Sequence, residues 1–353
     1  MIPRAALIAT TFALGGAQAQ IRDVAVNELI RQRVSSGANP AIVVGVIEGG
    51  QSRVFAFGKA DAPNGQLDGN TVFEIGSITK VFTSAILADM VRKGEVSLDD
   101  PVEKFLPPGV RVPARGRKIT LLDLSVQHSG LPRLPDNLAP RDVKNPYADY
   151  TADSMFAFLS RYRLTRDVGA QFEYSNLGVG LLGEALSRRA ETSYEQLVTT
   201  RVLRPLGMSD TRITLTPYMS RRLAVGHDQQ GAVTENWDVR GIAGAGALRS
   251  SVNDMLKFAA AALTNDGPLG PAFTLAQQPR RTLAASQRIG LNWLISSAGT
   301  TEIVWHNGGT GGYRSYLGLD KRNQRAVVVL TNSANGADDI GQRILVDAAA
   351  ASR

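Results

Sequence analysis

The stretch Phe73 to Val91, FEIGSITKVFTSAILADMV, sets the reading of the whole chain. From Val81 to Val91 it is apolar almost all round, which predicts a helix buried on every side rather than an amphipathic surface helix. Ser77 is expected to open that helix. Residues three apart share a helix face, so the Lys80 amine can come within hydrogen-bond reach of the Ser77 hydroxyl. A helix start also presents free N–H groups and a positive dipole end, which favour negative charge on an attacking oxygen and disfavour a protonated Lys80. Ser77-Ile78-Thr79-Lys80 therefore reads as a nucleophile with its activating amine. Ser-x-x-Lys is nevertheless common, and Ser at a helix start is often a simple cap, so the tetrapeptide does not decide the matter alone.

Upstream, AIVVGVIEGG and QSRVFAFGKA, within 41–60, are rich in β-branched and aromatic residues and meet at Gly49-Gly50, the pattern of a hairpin. Downstream, helical signals dominate to about Arg222: TADSMFAFLSRYRL, NLGVGLLGEALSRRA, and SYEQLVTTRVLRPLG with Pro205 and Gly207 as stops. Strand signals return in IGLNWLISSAG, TEIVWHNG, YRSYLGLDK and QRAVVVLTNS, ahead of a terminal helix from about Ala337. Strands at both ends thus flank a helical insert. The economical architecture is an α/β (α+β) sandwich: one antiparallel sheet built from both chain ends, covered by helices, with an inserted all-α subdomain. Short hairpin links exclude a doubly wound parallel sheet. The sheet part is expected at about 22–85 and 235–353 and the helical part at about 86–234, all within one catalytic domain over 20–353. Leu131 to Tyr150, rich in Pro, Asp and Asn, reads as a long irregular loop.

Residues 1–19 carry an early positive charge at Arg4, an Ala-rich apolar run and the small-residue site Ala17-Gln18-Ala19, the signature of a cleavable secretory leader. No later stretch offers about 18 uninterrupted apolar residues, so no transmembrane span is expected. The mature chain is expected in the periplasm or outside the cell. There are no cysteines among the 353 residues, which excludes disulfides, thiolate catalysis and zinc–cysteine sites. The net charge is +7. The basic residues are scattered and no stripe interleaves them with aromatics, which argues against nucleic-acid binding and for a solvated Arg-rich surface over an anion-seeking one.

Two further constellations stand out. Tyr174-Ser175-Asn176 precedes a helix expected from Leu177, which Ser175 or Asn176 can cap. A Tyr on that turn can project into a cleft, and flanking cations can lower its pKa so that it serves as general base or acid. The Asn176 amide can hydrogen-bond a substrate or Lys80. Farther on, Trp305-His306-Asn307-Gly308-Gly309-Thr310-Gly311-Gly312 closes a strand starting near Glu302, where glycines let another backbone approach closely. Its free N–H groups could supply one donor for an oxyanion, the N–H of Ser77 being the other. His227 has no acidic or histidine partner at metal-ligand spacing, and neither it nor His128, in VQHSGLP, reads as catalytic. No Gly-x-Ser-x-Gly elbow occurs, which disfavours a Ser-His-Asp hydrolase.

In this order, Ser-x-x-Lys, Tyr-x-Asn and a His-x-Gly strand resemble the serine β-lactamase and penicillin-binding-protein superfamily, in its class C-like branch. The resemblance extends to FEIGSITKVFTSAILADMVRKGEVSLDDPVEKFLP, ITLLDLSVQHSGLP, the block around Tyr174, GAGALRSSVNDMLKFAAAAL and HNGGTGGYRSYLGLD, nearly the whole mature chain. It implies Ser77 as nucleophile, Lys80 as its partner amine, Tyr174 as general base or proton shuttle and Asn176 as polar orienting residue. The third motif's cation falls on His306, with Gly308 in the strand and the Gly309 N–H as second oxyanion donor. The implied reaction is acyl transfer through a covalent intermediate, with no metal or organic cofactor, on a small-molecule or peptidoglycan-peptide substrate; the sequence leaves the oligomeric state open, a monomer being the expectation.

Two departures bear on substrate. His306 stands where many β-lactamases place Lys, and after SGLP the chain continues Arg133-Leu134 with no match for the class C side-chain amide. These features resemble the peptidase and esterase members. The expectation is a β-lactamase or D-Ala-D-Ala carboxypeptidase-like serine hydrolase. The alternatives are a carboxylesterase on the same scaffold and a penicillin-binding sensor without turnover.

Overall fold

The structure is a computed structural model that describes residues 13–298 and 301–350. Residues 1–12 of the expected leader lie outside the described residues, and Ala13 to Ala19 belong to the backbone of the first helix, α1 (Ala13–Ser35). The chain then enters the hairpin of β1 (Ala41–Glu48) and β2 (Gln51–Gly58). Its two turn residues, Gly49 and Gly50, have φ of 58° and 77°, the left-handed pair that matches strand twist in a two-residue hairpin.

The remaining strands of the main sheet come from the C-terminal part: β5 (Arg281–Ala284), β6 (Gln287–Ile289), β7 (Leu294–Ala298), β8 (Thr301–Gly309), β9 (Arg314–Asp320) and β10 (Arg325–Thr331). They form an eight-stranded sheet in the order β2-β1-β10-β9-β8-β7-β6-β5, and every adjacent pair is antiparallel. The first and last thirds of the chain meet where Ile42 pairs with Thr331 and Glu48 with Arg325. β1 and β10 read as continuous apolar runs because both sheet faces are covered. Ile42, Val44 and Val46 join Val26 and Ile30 of α1 and Ile340 of α10 (Asp338–Ala350) on one face, while Val43 and Ile47 join the larger core on the other.

That larger core surrounds α2 (Thr79–Arg92), in which every residue from Thr79 to Met90 is buried. The Phe82 ring stacks at 4.0 Å on Phe258 of α8 (Val252–Thr264), which meets Phe273 of α9 (Gly270–Gln277) edge-on at 5.2 Å. Beyond α2 lie α3 (Leu121–Ser125), α4 (Ala152–Arg161), α5 (Asn176–Arg189), α6 (Tyr194–Val198) and the short α7 (Pro217–Ser220). Thr120, Thr151, Ser175 and Ser193 cap the first four of these through their side-chain oxygens. A two-stranded sheet of β3 (Val72–Glu74) and β4 (Arg249–Ser251) ties the segment before Ser77 to the one before α8. No helix among the described residues is long and apolar enough to cross a membrane.

Three differences from the sequence expectations are local. The run IGLNWLISSAG is not one strand: Gly290 to Trp293 turn between β6 and β7, with Gly290 N donating to the Trp293 carbonyl at 2.8 Å and Asn292 at φ 55°. The helix expected over SYEQLVTTRVLRPLG widens after Val198 into a π-helical turn at Thr199–Leu203. Ser77 does not open α2 either; it sits in a tight 3-10 turn, Gly76–Ile78, that runs into the helix.

Candidate active site

Within residues 71–90 Ser77 alone is not fully buried. Two glycines produce this exposure. Gly76 has φ +47°, and a Cβ there would stand 2.6 Å from the Gly309 nitrogen and 2.8 Å from its carbonyl oxygen. Gly308, on the facing strand, packs so closely that a Cβ would lie 2.0 Å from the Ile75 carbonyl. The Ser77 turn is thereby clamped against the end of β8, and the Gly309 N–H comes alongside Gly76. Ser77 makes no helix-capping hydrogen bond, so the simple-cap reading does not apply.

Lys80 is fully buried, and its amine has three oxygen neighbours. Nζ lies 2.9 Å from Ser77 Oγ, 2.8 Å from Asn176 Oδ1 and 2.7 Å from the Ala245 carbonyl. No carboxylate is among them. Burial, reinforced by the positive charge of Arg133, holds the Lys80 pKa well below its ordinary 10.5. A neutral amine beside a hydroxyl can accept its proton, whereas an ammonium cannot.

Tyr174 stands on the turn before α5, half-buried, with Lys80 Nζ 4.9 Å from its ring centroid. The expectation of a lowered pKa is corrected here. Burial raises the phenol to about 12, outweighing the hydrogen bond to Ser77 and the charge of Arg133, which both lower it. The phenol therefore holds its proton at neutral pH and is suited to donate one. His306 is buried, and its ring centre lies 6.2 Å from that of Tyr174. Its Nδ1 donates to the Asn307 carbonyl at 2.6 Å, which leaves Nε2 as an acceptor. Burial, then the nearby Lys80, push its pKa to about 3. His306 thus carries no charge at neutral pH, and the cation expected of the third motif is absent from that position.

Ser77, Asn176 and Gly309 share one narrow cleft of about 30 Å³ with Tyr147, Trp237 and Ala245. A larger hollow of about 1040 Å³ lies behind Gly244, lined by Tyr194, Glu195 and Arg249 among others, and includes neither Ser77 nor Lys80. His128 and His227 stay outside the cleft and bond the Val126 and Asn332 carbonyls through Nδ1.

Several groups at the site had no sequence signal. The Ala245 carbonyl is a main-chain acceptor that any residue supplies. Trp237 and Tyr147 form an edge-on pair at 5.2 Å between two loops. Most important is a buried polar chain behind the catalytic face. Gln127 Oε1 accepts from Ser175 N at 2.7 Å, Gln127 Nε2 donates to Asn292 Oδ1 at 2.8 Å, and Asn292 Nδ2 donates to Ser84 Oγ at 2.9 Å. Ser84 closes the chain on the Lys80 carbonyl at 3.0 Å. The Tyr174–Asn176 turn and α2 are therefore braced by the same amides.

The chain matches the family model for beta-lactamase over residues 26–351. The chain belongs to the beta-lactamase family. Among its curated relatives is the D-alanyl-D-alanine-carboxypeptidase/endopeptidase AmpH of Escherichia coli K12, 33% identical over 319 residues, covering 84% of this chain and 80% of AmpH. The solved beta-lactamase/D-alanine carboxypeptidase of Yersinia pestis, complexed with citrate, superposes with a TM-score of 0.79 at 25% identity, over 92% of this chain and 99% of that one. The class C beta-lactamase of Rhodobacter sphaeroides shares the fold at a TM-score of 0.78 and 23% identity, over 94% and 99% of the two chains. This family member is a serine hydrolase of the class C-like branch with the β-lactamase/transpeptidase-like fold that the motif resemblance implies, and its antiparallel sheet covered by helices is the one expected from the strand pattern.

Proposed function

We propose that the enzyme is exported and cleaves D-Ala-D-Ala-type peptides or β-lactam amides through an acyl-enzyme on Ser77. The observation that carries this is the 2.9 Å contact between Ser77 Oγ and a Lys80 amine whose pKa burial holds well below its ordinary value. Lys80 takes the hydroxyl proton as Ser77 Oγ attacks the carbonyl carbon, and the N–H groups of Ser77 and Gly309 receive the developing oxyanion. The Tyr174 phenol protonates the departing nitrogen and is reprotonated from Lys80. Water then attacks the acyl carbon, losing a proton to the same pair, and that proton passes to Ser77 Oγ as its bond to the acyl group breaks. Asn176 orients Lys80 and the substrate amide. The likeness to AmpH and to the Yersinia pestis carboxypeptidase favours this substrate class.

Intact-mass spectrometry after exposure to a fluorescent penicillin, with peptide mapping, should place a single adduct on Ser77. Ser77→Ala should abolish it and leave the fold intact; an adduct elsewhere, or turnover within tenfold of the parent, would overturn the assignment. The uncharged His306 favours a second reading, a carboxylesterase acting on small acyl esters. Nitrocefin and a short p-nitrophenyl ester assayed side by side separate the two: rapid ester turnover with neither opening nor trapping of the β-lactam selects the esterase.

A further inference from the structure

The cleft lacks a charge that its neighbours make conspicuous. Lys80 is fully buried and committed to three oxygens, and His306 is buried with Nδ1 turned to its own strand. One guanidinium stands beside the Tyr174 ring, which the Lys80 amine also approaches. Arg133 is exposed, its Cζ stands 5.1 Å from the centre of the Tyr174 ring, and its positive charge reaches Lys80, Tyr174 and Tyr147. Its main chain is fixed, because the Arg133 carbonyl accepts from the N–H groups of Asn176 at 3.0 Å and Leu177 at 3.3 Å. Its side chain makes no ion pair with any carboxylate among the described residues. The contrast with the arginines around it is direct: Arg115, Arg117, Arg161 and Arg166 each hold an acid. The other arginine near Gly309, Arg314, is bound to the carbonyls of Thr310 and Tyr313.

We propose that Arg133 is the specificity-determining residue of this site, supplying the permanent cation that pairs with a carboxylate of the substrate in place of a charged group at position 306. A planar guanidinium with its donors free matches a carboxylate bidentately, and a backbone anchored to the Tyr-x-Asn turn keeps it in register with the reacting carbonyl. The substrate class that follows is an acyl compound with a free carboxylate close to the scissile bond. This rests on the reading of Ser77 as the acylated residue, and its test does not require that the natural substrate be a peptide or a β-lactam.

Two matched ester pairs provide the test on the full-length enzyme. Mono-p-nitrophenyl glutarate against p-nitrophenyl pentanoate places a carboxylate on the acyl side, and 4-acetoxybenzoate against its methyl ester places one on the leaving side. For at least one pair, Arg133→Gln should raise the ratio of KM for the carboxylate to KM for its neutral twin by about tenfold or more, and Arg133→Lys should recover part of it. Arg141→Gln, which removes an exposed arginine from the same loop, should keep the parent ratio. If both members of each pair shift together, or kcat falls alike on all four esters, Arg133 only props Tyr174 and the inference is overturned. If the esters discriminate as expected while penicillin never labels Ser77, the peptide and β-lactam reading fails and the charge assignment stands.

Discussion

At the scale of single residues, burial shifts two groups of the site in opposite directions, lowering the Lys80 amine and raising the Tyr174 phenol. Lys80 has a folded-state pKa well below 10.5. Between those two values the unfolded chain carries a proton that the folded chain does not, so folding stability rises with pH there, by up to about 1.4 kcal/mol per unit. Melting curves of the parent and Lys80→Met between pH 6 and 10 should accordingly diverge in the parent's favour as pH increases; parallel curves would mean that Lys80 is charged in the fold. The same titration sets the acid limb of kcat/KM, which should fall as Lys80 gains its proton. Tyr174, at about 12, gives no alkaline limb at ordinary assay pH. Tyr174→Phe, which removes the proton donor but keeps the ring, should lower kcat roughly 10²- to 10⁴-fold, the usual range for general acid–base catalysis, and pre-steady-state kinetics would show whether acylation is the step affected. Ser77, Lys80 and Tyr174 could be singled out in the chain because the chemistry proposed for them depends on residue type and short spacing. The direction of the Tyr174 shift was not legible, since it follows from how much protein covers the phenol.

At the scale of elements, the candidate site is a contact between a turn and a strand held by small residues. Gly76 takes a left-handed φ and abuts Gly309, so Gly76→Ala meets both backbone strain of about 1–2 kcal/mol and a steric clash. Its acylation rate should drop further than its melting temperature alone would suggest, as measured by penicillin labelling of the fraction still folded. The buried chain Ser84–Asn292–Gln127–Ser175 is a second element-level device. Asn292→Ala removes a partner from both Ser84 and Gln127, with an expected loss of about 1–3 kcal/mol for the unsatisfied groups. Because Gln127 carries the Tyr174 turn, kcat should fall more than KM rises; a variant that loses stability with its kinetics intact would show that the chain is only structural. The long helices and strands were readable from hydrophobic period. The three-residue strands β3, β4 and β6 were not, because so few residues define no period and their pairing is set by distant partners.

At the scale of the molecule, one sheet unites the two ends of the chain. β1 pairs on one side with β2, a few residues away, and on the other with β10, nearly the whole sequence away. β8, which carries His306, Gly308 and Gly309, hangs from that junction through β9. Non-local pairing of this kind forms late, since loop closure precedes the contacts that reward it. A chain ended at residue 324 should therefore leave β1 and β2 without their central partner and α8 without the strand it packs on. Limited proteolysis should digest it throughout, with penicillin labelling lost; a protected, labelled core would show that the helical part folds on its own.

The sequence by itself determined which residues can do chemistry, which segments are helices or long strands, and the family whose ordered motifs it carries. Those properties are local, written in side-chain type and in repeats of two or of 3.6 residues. Only the tertiary structure decided that burial lowers the Lys80 amine, raises the Tyr174 phenol and leaves His306 uncharged, and that Arg133 stands beside Tyr174 without an acidic partner. Each is a matter of dielectric and of distance between groups far apart in the chain, and neither quantity exists until the ends have been brought together.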